Sequence, residues 1–437
     1  HCNISRNLIQ TGMLKKPLTL SVDIGTSSLK AAFIDSDGSV AAFAREAYPV
    51  QAKSVLTVHW ENALVSALAA MFTEYTARMG LNAADRLEAV CISANGPTLV
   101  PYTIDGKSLP PLLWCDERTV LAAAGATSGR ERAEITSLFL SHAAWFARNE
   151  PALYEKTKYF ISAQEWLSLL LGAEPVTVLP NGLYEAYYWN KSQCALFGVD
   201  MERFPSFVEM GCTIGSVSET AARRFNLKPH IPIVAGGPDF IAALIGTGTV
   251  EPGLVCDRAG TSEGINLCVP FVETRGIPVC YGLRTLPHIH EGLWNLGGII
   301  PRSGSLFDQY RMENGQPQHG YDELMRNIIE EKGMGYAVLV TMAFHVKNML
   351  DTFKKNGFTI TEMRVSGGQA KSKIWNQLKA DLTGCALIIP EIVDGELAGN
   401  ACLAAVALGR ARNTGEAIAQ MFRIKERYDP ETMPNDK

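Results

Sequence analysis

The chain has 437 residues, nearly half of them apolar, and a formal net charge of −5. That length exceeds what one small core needs and suits two domains, each able to bury a large interior. The mild acidity gives no reason to expect nucleic acid or an anionic membrane surface as a partner, and an anionic ligand would have to find local positive charge.

Residues His1 to Gly12 show no domain-like pattern and are left out of the fold reading; Met13 stands just before the first strand. From Leu18 to Phe33 an apolar strand runs into Asp23, then Gly25-Thr26-Ser27-Ser28, then a second apolar strand carrying Lys30. With the turn at Ser36-Asp37-Gly38 the unit reads as a three-stranded meander, and no helix follows the glycine as it would in a Walker loop. Gly25 permits a tight turn and close backbone approach, the hydroxyls and turn N–H groups suit phosphate oxygens, and a carboxylate at the strand end suits hydrated magnesium. An ordinary Gly/Ser turn is the alternative.

Glu61 to Met79 has helical spacing, and Leu87 to Ser93 returns to a strand that delivers Asn95 at its carboxyl end. Open α/β sheets place ligands there, so Asn95 reads either as a sugar-hydroxyl partner or as a turn former before Gly96. In the stretch Pro110 to Thr119, strand alternation would put Trp114, Asp116 and Arg118 on one face, an aromatic plate beside an acid and a base that can hold a polyol. Two helical patterns flank Pro151, and the Tyr-rich run Pro180 to Trp189 reads either as the lining of a cleft or, more commonly for such runs, as padding on a domain face.

Ile231 to Ile245 reads as a strand, a Gly236-Gly237 turn, Asp239 and an apolar helix. At that junction Asp239 either caps the helix or accepts a hydroxyl proton during phosphoryl transfer. Leu254 to Val269 then repeats the opening hairpin with Gly260-Thr261-Ser262, and Arg258 stands where the first copy has Asp23. Arg302 to Tyr310 leads into a polar stretch near Glu313 to Tyr321 that reads as loop, and Met334 to Lys355 reads as a long amphipathic helix. Met363 to Gly384 reads as a strand, a Gly367-Gly368 turn and a helix whose Ile374, Trp375, Leu378 and Leu382 face the core. Such a turn at a helix amino terminus suits a nucleotide. The helix from Ala398 to Leu408 has one face of small residues for close packing.

The ten cysteines are scattered without a CxxC pair, as reduced structural thiols are. No run approaches the roughly 18 apolar residues of a membrane span, and the amino end carries no signal-peptide pattern, so a cytoplasmic protein is expected.

In their order, the stretches DIGTSSLKAAF, WCDERT, AGGPDF, AGTSEGIN, SGGQAKSKIWNQLKADLTG and ELAGNACLAA resemble the FGGY carbohydrate kinases, a branch of the actin-like ATPase superfamily. The resemblance covers Leu18 to Gly409. It implies an α/β fold of two ribonuclease-H-like domains with a cleft between them: 14–247 mainly for sugar and 248–437 for ATP. Carried over residue by residue, it makes Asp239 the catalytic base and Asp23 the organiser of Mg2+. Thr26, Ser27 and Lys30 would meet the phosphates, with Gly260, Thr261 and Ser262 covering them from the other domain. Gly367, Gly368 and Gln369 would form the adenine edge, while Asn95, Trp114 and Asp116, with Asp239, would face the sugar.

The implied activity is ATP-dependent phosphorylation of a ketopentose such as xylulose or ribulose. The alternatives are a kinase for another polyol (glycerol, erythritol, a deoxy-ketohexose) or an inactive sensor of the same fold. Sugar and ATP are the expected partners, without nucleic acid or membrane, and a homodimer is compatible with the sequence. Three features depart from the family pattern. Xylulose kinases typically carry Gln-Met-His-Gly where this chain has Ala94-Asn95-Gly96-Pro97, and Arg258 is unusual in its place. The stretches Ile135 to Ala144 and Arg311 to Met334 are also shorter than is usual.

Overall fold

The computed structural model describes residues 16–49, 56–116, 118, 137, 139–260, 262–270, 283–314 and 321–431. The chain divides into two compact units: residues up to Ala242 with Asn400–Met421, and Ala243–Gly399 with the residues from Phe422 onward.

The first unit is organised by Leu18–Ile24 (β1), buried along its whole length as a central strand must be. It pairs antiparallel with Ser28–Asp35 (β2), which pairs with Val40–Ala47 (β3), giving the expected meander. On its other side β1 runs parallel to Leu87–Ala94 (β4). Two short pairs stand outside the main sheet: Leu99–Thr103 (β5) with Thr157–Ser162 (β6), and Thr177–Leu179 (β7) with Phe207–Glu209 (β8). Thr213–Ser216 (β9) and Pro232–Pro238 (β10) complete the six-stranded order β3-β2-β1-β4-β10-β9.

Helix Leu56–Met79 (α1) begins before the expected Glu61 and buries Trp60, Leu64, Leu68, Met71 and Tyr75, the stripe its spacing dictates. Helix Ala163–Leu171 (α2) sets Trp166 5.7 Å from Trp60, centroid to centroid, so both indoles are core. Its amino terminus is a capping box of Ser162 and Glu165. Glu165 also accepts the Val178 N–H at 2.7 Å, and burial pushes its carboxyl up to about 7. The Tyr-rich run is padding, as read: Tyr188 and Trp189 are buried in an aromatic cluster in which Trp189 and Phe204 stand 4.4 Å apart.

The Gly236-Gly237 pair is not a turn but lies inside β10. A Cβ on Gly236 would lie 1.9 Å from the Ile92 carbonyl oxygen of β4, and Gly237 has φ +127°. The two glycines thus allow close strand contact and a bulge where β10 shifts register on β4. Helix Asp239–Gly246 (α3) follows directly.

The second unit repeats the plan. Leu254–Ala259 (β11), Glu263–Pro270 (β12), Arg284–Pro287 (β13), Leu293–Ile300 (β14), Glu362–Ser366 (β15), Leu387–Pro390 (β16) and Ile424–Tyr428 (β17) take the order β13-β14-β12-β11-β15-β16-β17. Without the edge strand β13, this matches the first sheet in both order and direction: an antiparallel meander, two parallel strands, then an antiparallel edge. Helix Ser303–Glu313 (α4), anchored by the buried Phe307, forms the lead-in to the stretch read as loop, most of which lies outside the described residues. Helix Met334–Lys355 (α5) has the expected bounds and buries Met342, Val346 and Met349. Helix Lys373–Thr383 (α6) lies beyond β15, and Gly395–Ala407 (α7) supplies the small-residue seam, where a Cβ on Gly246 would come within 1.9 Å of the Gly395 carbonyl oxygen. Among the described residues no helix is long and apolar enough to cross a membrane.

Candidate active site

In the first unit, parallel pairing brings the carboxyl ends of β1, β4 and β10 level: Asp23 stands opposite Ser93, Ser93 opposite Gly237, and Ala94 opposite Pro238. Asp239 is therefore the residue that leaves the sheet beside Ala94-Asn95, half-buried in the first turn of α3, where the positive end of the helix dipole favours a carboxylate.

Asp23 is buried, and its Oδ1 accepts the Ser93 hydroxyl at 2.9 Å. Asn400 donates from Nδ2 to Ser93 Oγ at 3.0 Å and to the Val22 carbonyl at 2.9 Å. Lys30 Nζ lies 3.8 Å from Asp23 Oδ2 across the hairpin, so the carboxylate has a hydroxyl donor and a cation beside it. The turn closes with Gly25 N–H donating to Ser28 C=O at 3.0 Å, which leaves Thr26 and Ser27 exposed at the tip. The Tyr48 hydroxyl is buried near this carboxylate. Burial first, and the Asp23 charge second, push its pKa well above the usual phenol range, making it a weaker acid.

Thr26 and Trp114, assigned separately to phosphate and sugar, are brought together: the indole N–H donates to Thr26 Oγ1 at 3.0 Å. Trp114 does not lie on a strand. After the Leu99–Leu112 bridge the chain turns, with Asp116 N–H donating to Leu113 C=O at 2.9 Å. Arg118 then folds back on Asp116, Nε to Oδ1 at 2.8 Å, and lies 4.5 Å from the Trp145 ring centroid. The hydrogen bonds from Arg118 hold the Asp116 carboxyl below its ordinary range. Asn95 is buried with its amide engaged: Nδ2 donates to Ile24 C=O at 2.8 Å, and Oδ1 accepts the Thr98 hydroxyl at 2.6 Å. Cys115, beside Trp114, is exposed, as is Cys212; the remaining described cysteines are buried.

In the second unit, Gly260 N–H donates to Ser262 C=O at 3.2 Å and closes the matching hairpin; Thr261 lies outside the described residues. Arg258 pairs with Gly264, and its guanidinium occupies the space a Cβ there would need. The Gly367-Gly368 turn abuts this hairpin. Gly367 has φ +97°, and a Cβ on it would stand 2.8 Å from the Ala259 carbonyl oxygen, so glycine is required on both counts. Gln369 is buried and its Oε1 accepts the Trp375 indole N–H at 3.0 Å.

Beneath the hairpin lies a cluster the sequence reading missed. Lys379 of α6, fully buried, donates to both Asp257 of β11 and Glu263 of β12, and the Ser303 hydroxyl of α4 donates to Glu263 at 2.6 Å. Burial pushes the Asp257 carboxyl up to about 8. Burial acts the same way on Glu263, but the Lys379 charge and the hydrogen bonds outweigh it and lower that carboxyl. Two signals were available. Lys379 falls four residues after Trp375 and so on the core face, and Asn400 is a lone polar residue among small apolar ones.

A sheet of this order, duplicated in one chain with a glycine hairpin at the carboxyl end of each first strand, is the actin-like ATPase type of fold, one branch of which phosphorylates sugars. The chain belongs to the FGGY family of carbohydrate kinases: the family's N-terminal domain matches residues 18–246 and its C-terminal domain residues 260–408. It is 24% identical to a xylulose kinase of Lactococcus lactis, over 92% of this chain and 90% of that one. It is 21% identical to a gluconokinase of Bacillus subtilis, over 94% and 91%. The solved structure of a xylulose kinase from Rhodospirillum rubrum superposes with a TM-score of 0.74 at 17% identity, covering 95% of this chain and 94% of that one. The chain is thus a sugar phosphotransferase, and kinases of its family use ATP.

Proposed function

We propose that the chain transfers the γ-phosphoryl group of ATP to a hydroxyl of a ketopentose of the xylulose or ribulose type, in the cytoplasm, with Asp239 as the base. The observation that carries this is the level edge of β1, β4 and β10, which sets Asp239 at the start of α3 in line with the strand end bearing Asp23. Asp239 accepts the hydroxyl proton as the oxygen attacks, and Lys30 and the turn N–H groups offset phosphate charge. Trp114 stacks on the sugar while its indole N–H steadies Thr26 at the hairpin tip. Asp116, oriented by Arg118, accepts sugar hydroxyls. Asn95, its amide already engaged, shapes the floor of the sugar pocket. Ser27 and the Gly260–Ser262 hairpin meet the phosphates, and Gly367, Gly368 and Gln369 border the adenine.

Among the described residues no three His, Cys, Asp or Glu side chains cluster as a metal cage. Magnesium bound through ATP keeps waters and phosphate oxygens and needs only one or two carboxylates, so Asp23 fits it. Bound there, the ion would neutralise charge on the transferring group.

The similarity to the gluconokinase favours a second reading, an aldonate as acceptor. The test is ADP release by wild type and Asp239→Asn with MgATP across xylulose, ribulose, fuculose, rhamnulose, glycerol, erythritol and gluconate. A ketopentose should stimulate the wild type, and Asp239→Asn should lose about two to four decades of turnover with ATP binding nearly intact. Stimulation by gluconate alone selects the second reading, and unchanged turnover in the variant removes the base.

A further inference from the structure

We propose that Lys379 is a positioning residue for the nucleotide, a buried cation that fixes the Gly260–Ser262 hairpin relative to the Gly367–Gln369 turn. This rests on the kinase reading above.

The cluster joins three elements through one ammonium group and a fourth through Glu263. Glu263 is the first residue of β12, immediately beyond the hairpin tip, and Asp257 stands on β11 just before it. Asp257, Ala259 and Glu263 share one face of that strand pair, and the ammonium bonds to both carboxylates there. Ser303 brings in α4. Helix α6 carries Lys379 and also Trp375, whose indole N–H sets the amide of Gln369 with its oxygen inward. One helix therefore orients both nucleotide elements, and Gly367 packs directly on Ala259 between them.

Stability alone does not account for the arrangement, because apolar residues of similar volume fill such a site as well or better. An apolar filling does not specify direction. Two hydrogen-bonded carboxylates on adjacent strands fix the angle at which the hairpin leaves the sheet, and a hairpin displaced by about 1 Å costs a phosphate site much of its affinity.

The experiment compares wild type with Lys379→Met and with the triple variant Lys379→Met/Asp257→Val/Glu263→Met. It reads melting midpoint, MgATP affinity by calorimetry, and KM for ATP and for the sugar. The single variant should melt earlier. The triple variant should recover the wild-type midpoint yet bind MgATP about ten- to a hundredfold more weakly, with the sugar KM unchanged. A double variant, Lys379→Met/Glu263→Gln, removes the charge pair and the hydrogen-bonded link from α6, and should show the same split if the triple variant does not fold. Wild-type MgATP affinity in either folded variant overturns the inference while leaving the kinase reading intact. Failure of the wild type to bind MgATP overturns both.

Discussion

In the first unit the hairpin after Asp23 holds its carboxylate by two neutral donors, Ser93 directly and Asn400 behind it, with Lys30 3.8 Å away. In the second unit the matching hairpin sinks two carboxylates beneath itself and closes them on Lys379. The backbones are alike: an antiparallel pair, a glycine N–H closing the tip, and a parallel strand alongside. The same scaffold thus carries charge in two ways. The first carboxylate accepts a hydrogen bond from a hydroxyl with a lysine at 3.8 Å, whereas the second hairpin's carboxyls are closed on a fully buried ammonium. The first arrangement suits chemistry and the second suits support.

Cutting one charge from each hairpin should break the two in different ways. The largest effect is expected from Lys379→Met alone, which leaves two buried carboxylates without their cation. It should cost about 3–5 kcal/mol of stability, read as a lower urea midpoint at unchanged m-value. Asp23→Ala should instead spare most of the fold, since Ser93 and Asn400 still bond to each other. It should lower turnover by about two to three decades, measured as sugar-dependent ADP release. Loss of stability without loss of turnover at Asp23 would erase the distinction.

The smallest expected effect is a pH dependence. Between about 3.8 and about 8 the folded state keeps a proton on Asp257 that the unfolded state has released, so raising pH across that window favours unfolding. Glu165 contributes in the same direction, but only up to about 7. Above pH 7 the decline should therefore belong to Asp257, and Asp257→Asn should flatten the melting midpoint between pH 7 and 8 relative to wild type.

Both hairpins, the long helix α5 and the position of Asp239 were legible because their signals are local: alternation, glycine at a turn, a 3.6-residue period. What escaped was set by contacts distant in sequence. Asn400 reaches Val22 and Ser93 across 378 and 307 positions, and no local pattern announces that. Lys379 carries a surface residue's identity at a core spacing, so its type and its period point in opposite directions. The Trp114-Asp116-Arg118 alternation mimics a strand, yet the backbone turns at Leu113–Asp116 and the side-chain clasp from Arg118 follows from that turn. The Gly236-Gly237 pair read as a turn because close approach to Ile92 is a property of the neighbouring strand.

Cys115 sits between Trp114 and Asp116 as one of only two exposed thiols among the described residues, while burial raises those of Cys256 and Cys402 to about 12. A thiol-directed reagent therefore meets buried thiols that are poor nucleophiles among the described residues, and an exposed one on the loop proposed above to face the sugar. On the reading proposed above, alkylation there becomes a footprint: a bound sugar should shield that sulfur and slow its labelling, so the rate reports occupancy without any turnover.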